Sequence, residues 1–296
     1  MNTASAKAPF VLPDAATMAS AARRWGWLVV AFALVYGQIL AVLVQEWWTN
    51  DDYSHGFLIP FALAYLLYEK REEIFAIPSV PSAWGFVAIL ASQVVLIVGF
   101  LGAEFFLQRV SMVMFFTGLI LFFWGWRMLM ETAFGLVLIL LAIPLPAIVF
   151  NAVALPLQLL ASSWAESFLR VCQIPVYRDG NVLQLSTQLL NVTEACSGIR
   201  SLMSLVTLAT MLAYFLPMRW WARMAFILTS VPVALAANSF RVAGTGLLGR
   251  WFGERAAQGF FHYFSGWLVF VFAFVVLLAE LFLLQRFAAP RKKVSQ

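Results

Sequence analysis

Apolar runs of bilayer length recur along the chain, separated by short polar stretches. Runs near 25–45, 55–69, 82–102, 110–126, 133–150, 199–216, 221–241 and 263–285 predict eight transmembrane helices, since a span takes roughly 20 apolar residues. The second run is short and reaches the interfaces through flanking polar residues. The segment 151–172, NAVALPLQLLASSWAESFLRVC, is long enough to cross but is patterned differently. Gln158, Ser162, Glu166 and Arg170 recur every fourth residue, with Ser163 and Ser167 beside them. That spacing is a polar stripe on one helix face, and Glu166 precedes Arg170 in the favourable order. It predicts an amphipathic helix lying in the membrane interface. The following VYRDGNVLQL predicts a short β-hairpin with Asp179-Gly180 at its turn. The expected fold is an all-α polytopic membrane protein: eight transmembrane helices, one outer-face amphipathic helix and the hairpin.

Composition agrees. The chain is 63% hydrophobic and 11% charged, against about 25% charged in soluble domains, and no polar stretch is long enough to bury a core of its own. The expected organisation is a cytoplasmic tail over 1–24, a membrane domain over 25–286 and a basic cytoplasmic tail over 287–296. The N-terminal stretch lacks the charged start and short apolar core of a cleaved signal peptide. Charge sets the orientation. With both termini in the cytoplasm, every lysine and most of the 19 basic residues fall on that side, as the positive-inside rule requires. If 151–172 crossed instead, the basic PRKKVSQ end and MRWWAR at 218–223 would be moved outside. The net charge of +5 is scattered over short loops and gives no nucleic-acid signal. Two cysteines, Cys172 and Cys196, exclude a disulfide framework or a cysteine-rich zinc site. No cofactor is expected.

With that sidedness, three separated stretches deliver reactive groups to the outer face. Cys196 immediately precedes the sixth span, Arg241 ends the seventh and His262 opens the eighth. The thiolate is the nucleophilic form of cysteine, and a helix N-terminus favours it. Ser197 and Gly198 suit a helix start and leave backbone N–H groups near the sulfur. His262 is placed to act as general base and then general acid, and Arg241 to hold an oxyanion. Glu194 opposes thiolate formation. Arg200, one turn past Cys196, competes with Arg241 for the oxyanion, and the sequence leaves that choice open. The stretch NDDYSHGFLIP brings Asp51, Asp52, Tyr53, Ser54 and His55 to the same face. One histidine and two carboxylates are too few for a metal site, so Tyr53, Ser54 and His55 are assigned supporting or substrate-contact roles. Cys172 is read as a packing residue on the apolar face of the amphipathic helix.

At these residues the chain resembles the exosortase/archaeosortase family of membrane transpeptidases. EACSGIRS is similar to the family's cysteine motif, NSFRV, with Asn238, to its arginine motif, and the histidine of FFHYFSGW to its third element; DDYSHGFLIP resembles its N-terminal signature. The resemblance runs from about Trp48 to the last span. It implies a multi-pass cysteine peptidase of the bacterial inner membrane with catalytic Cys196, Arg241 and His262 and an active site on the periplasmic face. It further implies exported substrates carrying a C-terminal PEP-CTERM tail, a glycan or amine acceptor, and a link to exopolysaccharide production. The rival reading is a polysaccharide-export transporter or flippase subunit without peptidase activity. Such a protein needs ionisable residues buried mid-span on several helices, and here charges are nearly absent from the middle of the spans.

Overall fold

A computed structural model describes residues 15–186, 189–192, 198–253 and 260–288; within these ranges the side chains of 15–25, 260–263, 265 and 287–288 are not described. The chain divides into two units, 1–45 and 46–296. The first holds most of helix α1 (Ala15–Thr49). It presents Trp27 and Leu34 to the outside and stacks Phe32 on Tyr36 at 5.3 Å.

The second unit begins with a 3-10 segment (Asp51–Phe57) that continues into α2 (Leu58–Glu69). Then come α3 (Arg71–Ala76), α4 (Ala83–Leu101), α5 (Phe105–Phe123), α6 (Trp126–Leu141) and α7 (Ala147–Val171). Strands β1 (Val176–Asp179), β2 (Val182–Leu185) and β3 (Leu189–Asn191) follow, then α8 (Ile199–Phe215), α9 (Trp220–Phe252) and α10 (Phe260–Ala288). Large apolar side chains such as Leu101, Phe100 and Phe61 face outward, as lipid-facing surfaces do.

Helix contacts follow the small residues. The buried positions of α4 are Gly85, Ser92 and Gly99, seven residues apart. A Cβ at Gly85 would stand 2.2 Å from the Phe122 amide, and one at Gly118 would stand 2.7 Å from Ile89. Backbones this close gain dispersion contact where lipid offers no hydrophobic driving force between helices. A second core joins α8, α9 and α10 through Leu205, Ala209, Phe226, Ala234, Ala273 and Leu277.

Two ends of this unit are distinct. At one, Trp47 donates Nε1–H to Ala142 O at 2.8 Å, Glu46 pairs with Arg109, and the Leu145 N–H donates to the Tyr53 hydroxyl at 3.2 Å. At the other, Lys70 pairs with Glu131, Phe134 stacks on Tyr214 at 3.6 Å, and the Tyr65 and Phe215 rings meet edge to face at 5.2 Å.

Several expectations change. Among the described residues, six helices are long and apolar enough to cross a membrane: Gly26–Thr49, Ala83–Leu101, Phe105–Phe123, Ala147–Val171, Trp220–Phe252 and Gly266–Arg286. The count of eight is not borne out. α2 and α8 are short, and the expected 133–150 run is interrupted at residues 142–146, where Pro144 and Pro146 stop α6 before α7 begins. The 151–172 segment is one helix from Ala147, apolar enough to count among the six. Its polar stripe turns inward: Gln158 and Ser162 are buried, and Glu166 pairs with Arg170 and Arg178 at 2.7 Å each. α7 meets the Tyr53 segment near its start and α9 near its end. The Phe150 ring lies 6.4 Å from Tyr53 and the Phe168 ring 5.2 Å from Phe240.

The hairpin is the first part of a three-stranded antiparallel sheet, β1-β2-β3. Asp179 pairs with Val182, so the two-residue turn is Gly180-Asn181, one residue later than expected, with Gly180 at φ +59. The sheet packs Leu183 and Leu185 against Leu169, Val242 and Ala243. Thus the last turns of α9 run past the arginine position to join α7 and the sheet in one apolar cluster. Cys172 is exposed rather than packed; α7 ends there, and its apolar face does not extend to the thiol.

Candidate functional site

The described end of the cysteine motif, residues 198–201, carries the geometry. Gly198 caps the start of α8 in the left-handed conformation, φ +75, a region that L side chains other than Asn and Asp rarely visit. A Cβ there would stand 2.6 Å from Cγ of Asn238. Asn238 is buried on α9, so the cysteine and arginine motifs meet backbone to side chain. Gly198→Ala therefore combines backbone strain of about 1–2 kcal/mol with a clash. The expected result is a lower melting temperature and a substantial loss of processing, read by thermal unfolding and a substrate-cleavage assay.

Three residues past Asn238, Arg241 lies on the face that meets α10. A Cβ built on Gly266 would stand 3.3 Å from Arg241 Nη1, so the guanidinium lies across the helix at the one position without a side chain. His262 stands one turn before Gly266, in the first turn of α10; its side chain lies outside the described residues. Cys196, Ser197 and Glu194 likewise lie outside the described residues, one to four positions before Gly198.

Arg241 faces a cavity of about 520 Å³ whose walls include Asp51, Ser54, Gly198, Arg200 and Gly266. Of the predicted residues, Ser54, Gly198, Arg200 and Arg241 share this cavity, and Asn238 supports it from behind. Arg200 is anchored: it pairs with Asp51 at 2.9 Å and Asp52 at 3.6 Å. The two aspartates, too few with His55 to read as a metal site, thus hold an arginine. Ser54 donates to the Asp51 carbonyl at 2.9 Å and helps fix the same segment.

Tyr53 and His55 are buried beside the cavity rather than in its wall. The Tyr53 hydroxyl accepts from the Leu145 amide at 3.2 Å. The His55 imidazole is buried as well. Its Nε2 lies 3.2 Å from the Leu141 carbonyl. A carbonyl can only accept, so Nε2 carries the proton, and neutral His55 offers Nδ1 as a bare acceptor.

Sequence reasoning passed over Arg109, buried against Glu46 at the same end, and Gly266. A lone arginine in an apolar run is a signal in itself, because a charge at that depth needs a partner. Gly266 carries no such signal.

One family model, described as transmembrane exosortase (Exosortase_EpsH), matches residues 47–279. No curated protein and no solved structure matches the chain. The matched stretch takes in the 3-10 segment, the Gly198–Asn238 contact and the Arg241 cavity, and on that match the chain belongs to the transmembrane exosortases, a family of membrane cysteine transpeptidases.

Proposed function

We propose that this protein is a membrane cysteine transpeptidase that cleaves PEP-CTERM sorting tails of exported proteins at the periplasmic face of the inner membrane. The observation that carries the reading is the cavity in which Gly198, Arg200, Arg241 and Gly266 meet. It draws together the ends of the cysteine, arginine and histidine motifs from three separate helices.

Orientation follows from charge. The end opposite the cavity carries Lys70, Arg71, Arg127, Arg219, Arg223 and Arg286, which favours the cytoplasm for that end and the periplasm for the site. An eight-crossing topology remains the best account. The 3-10 segment and α2 together rise about 32 Å, enough for one crossing. α6 and α8, at roughly 24 and 26 Å, cross where the bilayer is locally thin. The contacts of α7 with Tyr53 at one end and Phe240 at the other favour a helix lying along the outer face, despite its apolar length. Both chain termini then face the cytoplasm.

In the proposed reaction the Cys196 thiolate attacks the scissile carbonyl carbon, and the carbonyl electron pair moves onto oxygen. Arg241 stabilises that oxyanion. Arg200 is already neutralised by two carboxylates, so it serves to fix the start of α8 against the 3-10 segment. As the tetrahedral species collapses, the C–N bond breaks and His262 gives its proton to the leaving amine. The thioester is then opened by water, or by an amine or glycan hydroxyl acceptor whose proton returns to His262. A substrate anchored in the membrane presents its scissile bond at a fixed depth, which supplies much of the positioning.

The test is incubation with a tail-bearing protein followed by mass spectrometry of its new C-terminus, which reports the cleavage position and any attached acceptor. An intact substrate under conditions where the enzyme is folded contradicts the reading. Cys172→Ala should keep nearly full activity in the same assay, because that exposed thiol lies at the end of α7 and lines no part of the cavity. Loss of cleavage with normal expression would show that the site extends to the end of α7.

A further inference from the structure

Beside the catalytic cavity lies a second space of about 550 Å³, between α2 and α8. The two share Ser54, Ser204 and Phe270 in their walls, so they lie side by side. On α8 the wall residues are Ser204, Thr207, Leu208, Met211 and Phe215, a single stripe at helical spacing. On the other side Leu58, Phe61, Ala62 and Tyr65 repeat the pattern. The Tyr65–Phe215 ring contact closes the far end. The groove thus descends about 16 Å from the level of Ser204 to that of Phe215, roughly half the hydrocarbon thickness. It is open at the side, where Phe61 is 75% and Leu58 60% exposed.

Two wall atoms are unusual. His55 Nδ1 and Thr207 Oγ1 are buried with no hydrogen-bond partner among the described residues. Other threonines in the bundle turn the hydroxyl onto their own helix, as Thr210 does to Val206 O and Thr229 to Ala225 O. Thr207, on the groove, does not. An unmade bond at each site costs about 1–3 kcal/mol.

We propose that this groove seats the membrane helix of the substrate, with its N-terminal end delivering the scissile peptide to the Arg241 cavity. The occupant must be helical, because a peptide segment in hydrocarbon has to satisfy its own backbone hydrogen bonds. It must be largely apolar to match Leu208, Met211 and Phe61. A polar side chain facing Thr207 gives its unpaired hydroxyl a partner, which an acyl chain cannot do. The assignment rests on the transpeptidase reading above and adds to it the route of substrate entry.

The test replaces Phe61 with the photocrosslinker benzoylphenylalanine and uses a tail-bearing protein in proteoliposomes. The control is the same replacement at Val94, an exposed position on α4. Crosslinking to the substrate helix is expected from position 61, at least about tenfold above position 94. Equal crosslinking at both positions, or crosslinking at 61 to phospholipid alone while substrate is being processed, overturns the groove assignment. Crosslinking at 61 without any cleavage leaves the groove standing and sinks the transpeptidase reading instead. The isosteric Thr207→Val is a second probe. Removing the unpaired hydroxyl should leave the melting temperature unchanged or raised and should raise KM several-fold with little change in kcat. An unchanged KM shows that the substrate does not use Thr207 and contradicts the proposed seating.

Discussion

Cys196→Ala is expected to abolish processing of a tail-bearing substrate, with a fall on the order of 10³-fold or more, while the melting temperature and membrane insertion stay as in the parent. The size follows from the chemistry. An alanine supplies no nucleophile, and among the described residues the cavity wall offers serines, an aspartate and two arginines but no second thiol. Of the two cysteines, Cys172 lies exposed at the far end of α7. The alanine variant should still bind substrate, so co-purification of uncleaved tail-bearing protein is the companion measurement. Full activity in Cys196→Ala would mean that the cavity works by another chemistry, with Ser201 or Ser204 as the groups to test next.

Arg241→Ala is expected to lower kcat by about 10²–10³-fold, the usual effect of removing one group that holds an oxyanion, with a smaller change in KM. Arg241→Lys should recover only part of this, because an ammonium lacks the planar fork of donors. The geometry gives a reason for the specificity. The guanidinium comes within 3.3 Å of where a Cβ on Gly266 would stand, so its reach into the cavity depends on the packing of α9 on α10. Arg200→Lys should be milder. It keeps the charge facing Asp51 and Asp52, which the ion-pair distances identify as its partners. If instead Arg200→Lys is the more damaging change and Arg241→Lys is nearly silent, their proposed roles are exchanged. Single-turnover rates on purified enzyme in detergent or nanodisc decide this.

Much of the site was legible because it is built from residue types that are rare in a bilayer. A chain with two cysteines, two histidines and few charges declares its polar residues, and the positive-inside rule sorts them by side. The contact between the cysteine and arginine motifs needed coordinates, since nothing in the spacing places Gly198 against Asn238. The same holds for the Asp51–Arg200 pair. Sequence reasoning found no partner for those aspartates because opposite charges 149 residues apart do not advertise one another.

The fold was legible in outline and blurred at its boundaries. Apolar runs mark helices but not where one stops inside a longer run. The prolines at 144 and 146 divide what reads as a single stretch. Conversely, α9 continues through Arg241 to Phe252, because its last turns bury Val242 and Ala243 under α7 and the sheet. For α7 the periodicity correctly isolated a polar stripe but assigned it to water. In the structure Gln158 and Ser162 face protein, with Gln158 near the Asn181 amide of the sheet. Strand β3 escaped notice because three residues are too few for an alternating pattern.

The central claim is that the substrate is transferred through a thioester on Cys196. Its most direct test is intact and peptide-level mass spectrometry of the enzyme, quenched in acid during turnover of a tail-bearing protein. The account predicts an adduct on the peptide that contains Cys196, with the mass of the N-terminal cleavage product, removed by neutral hydroxylamine and absent in Cys196→Ala. Accumulation of cleaved substrate with no such adduct, or an adduct on another residue that persists in Cys196→Ala, contradicts it.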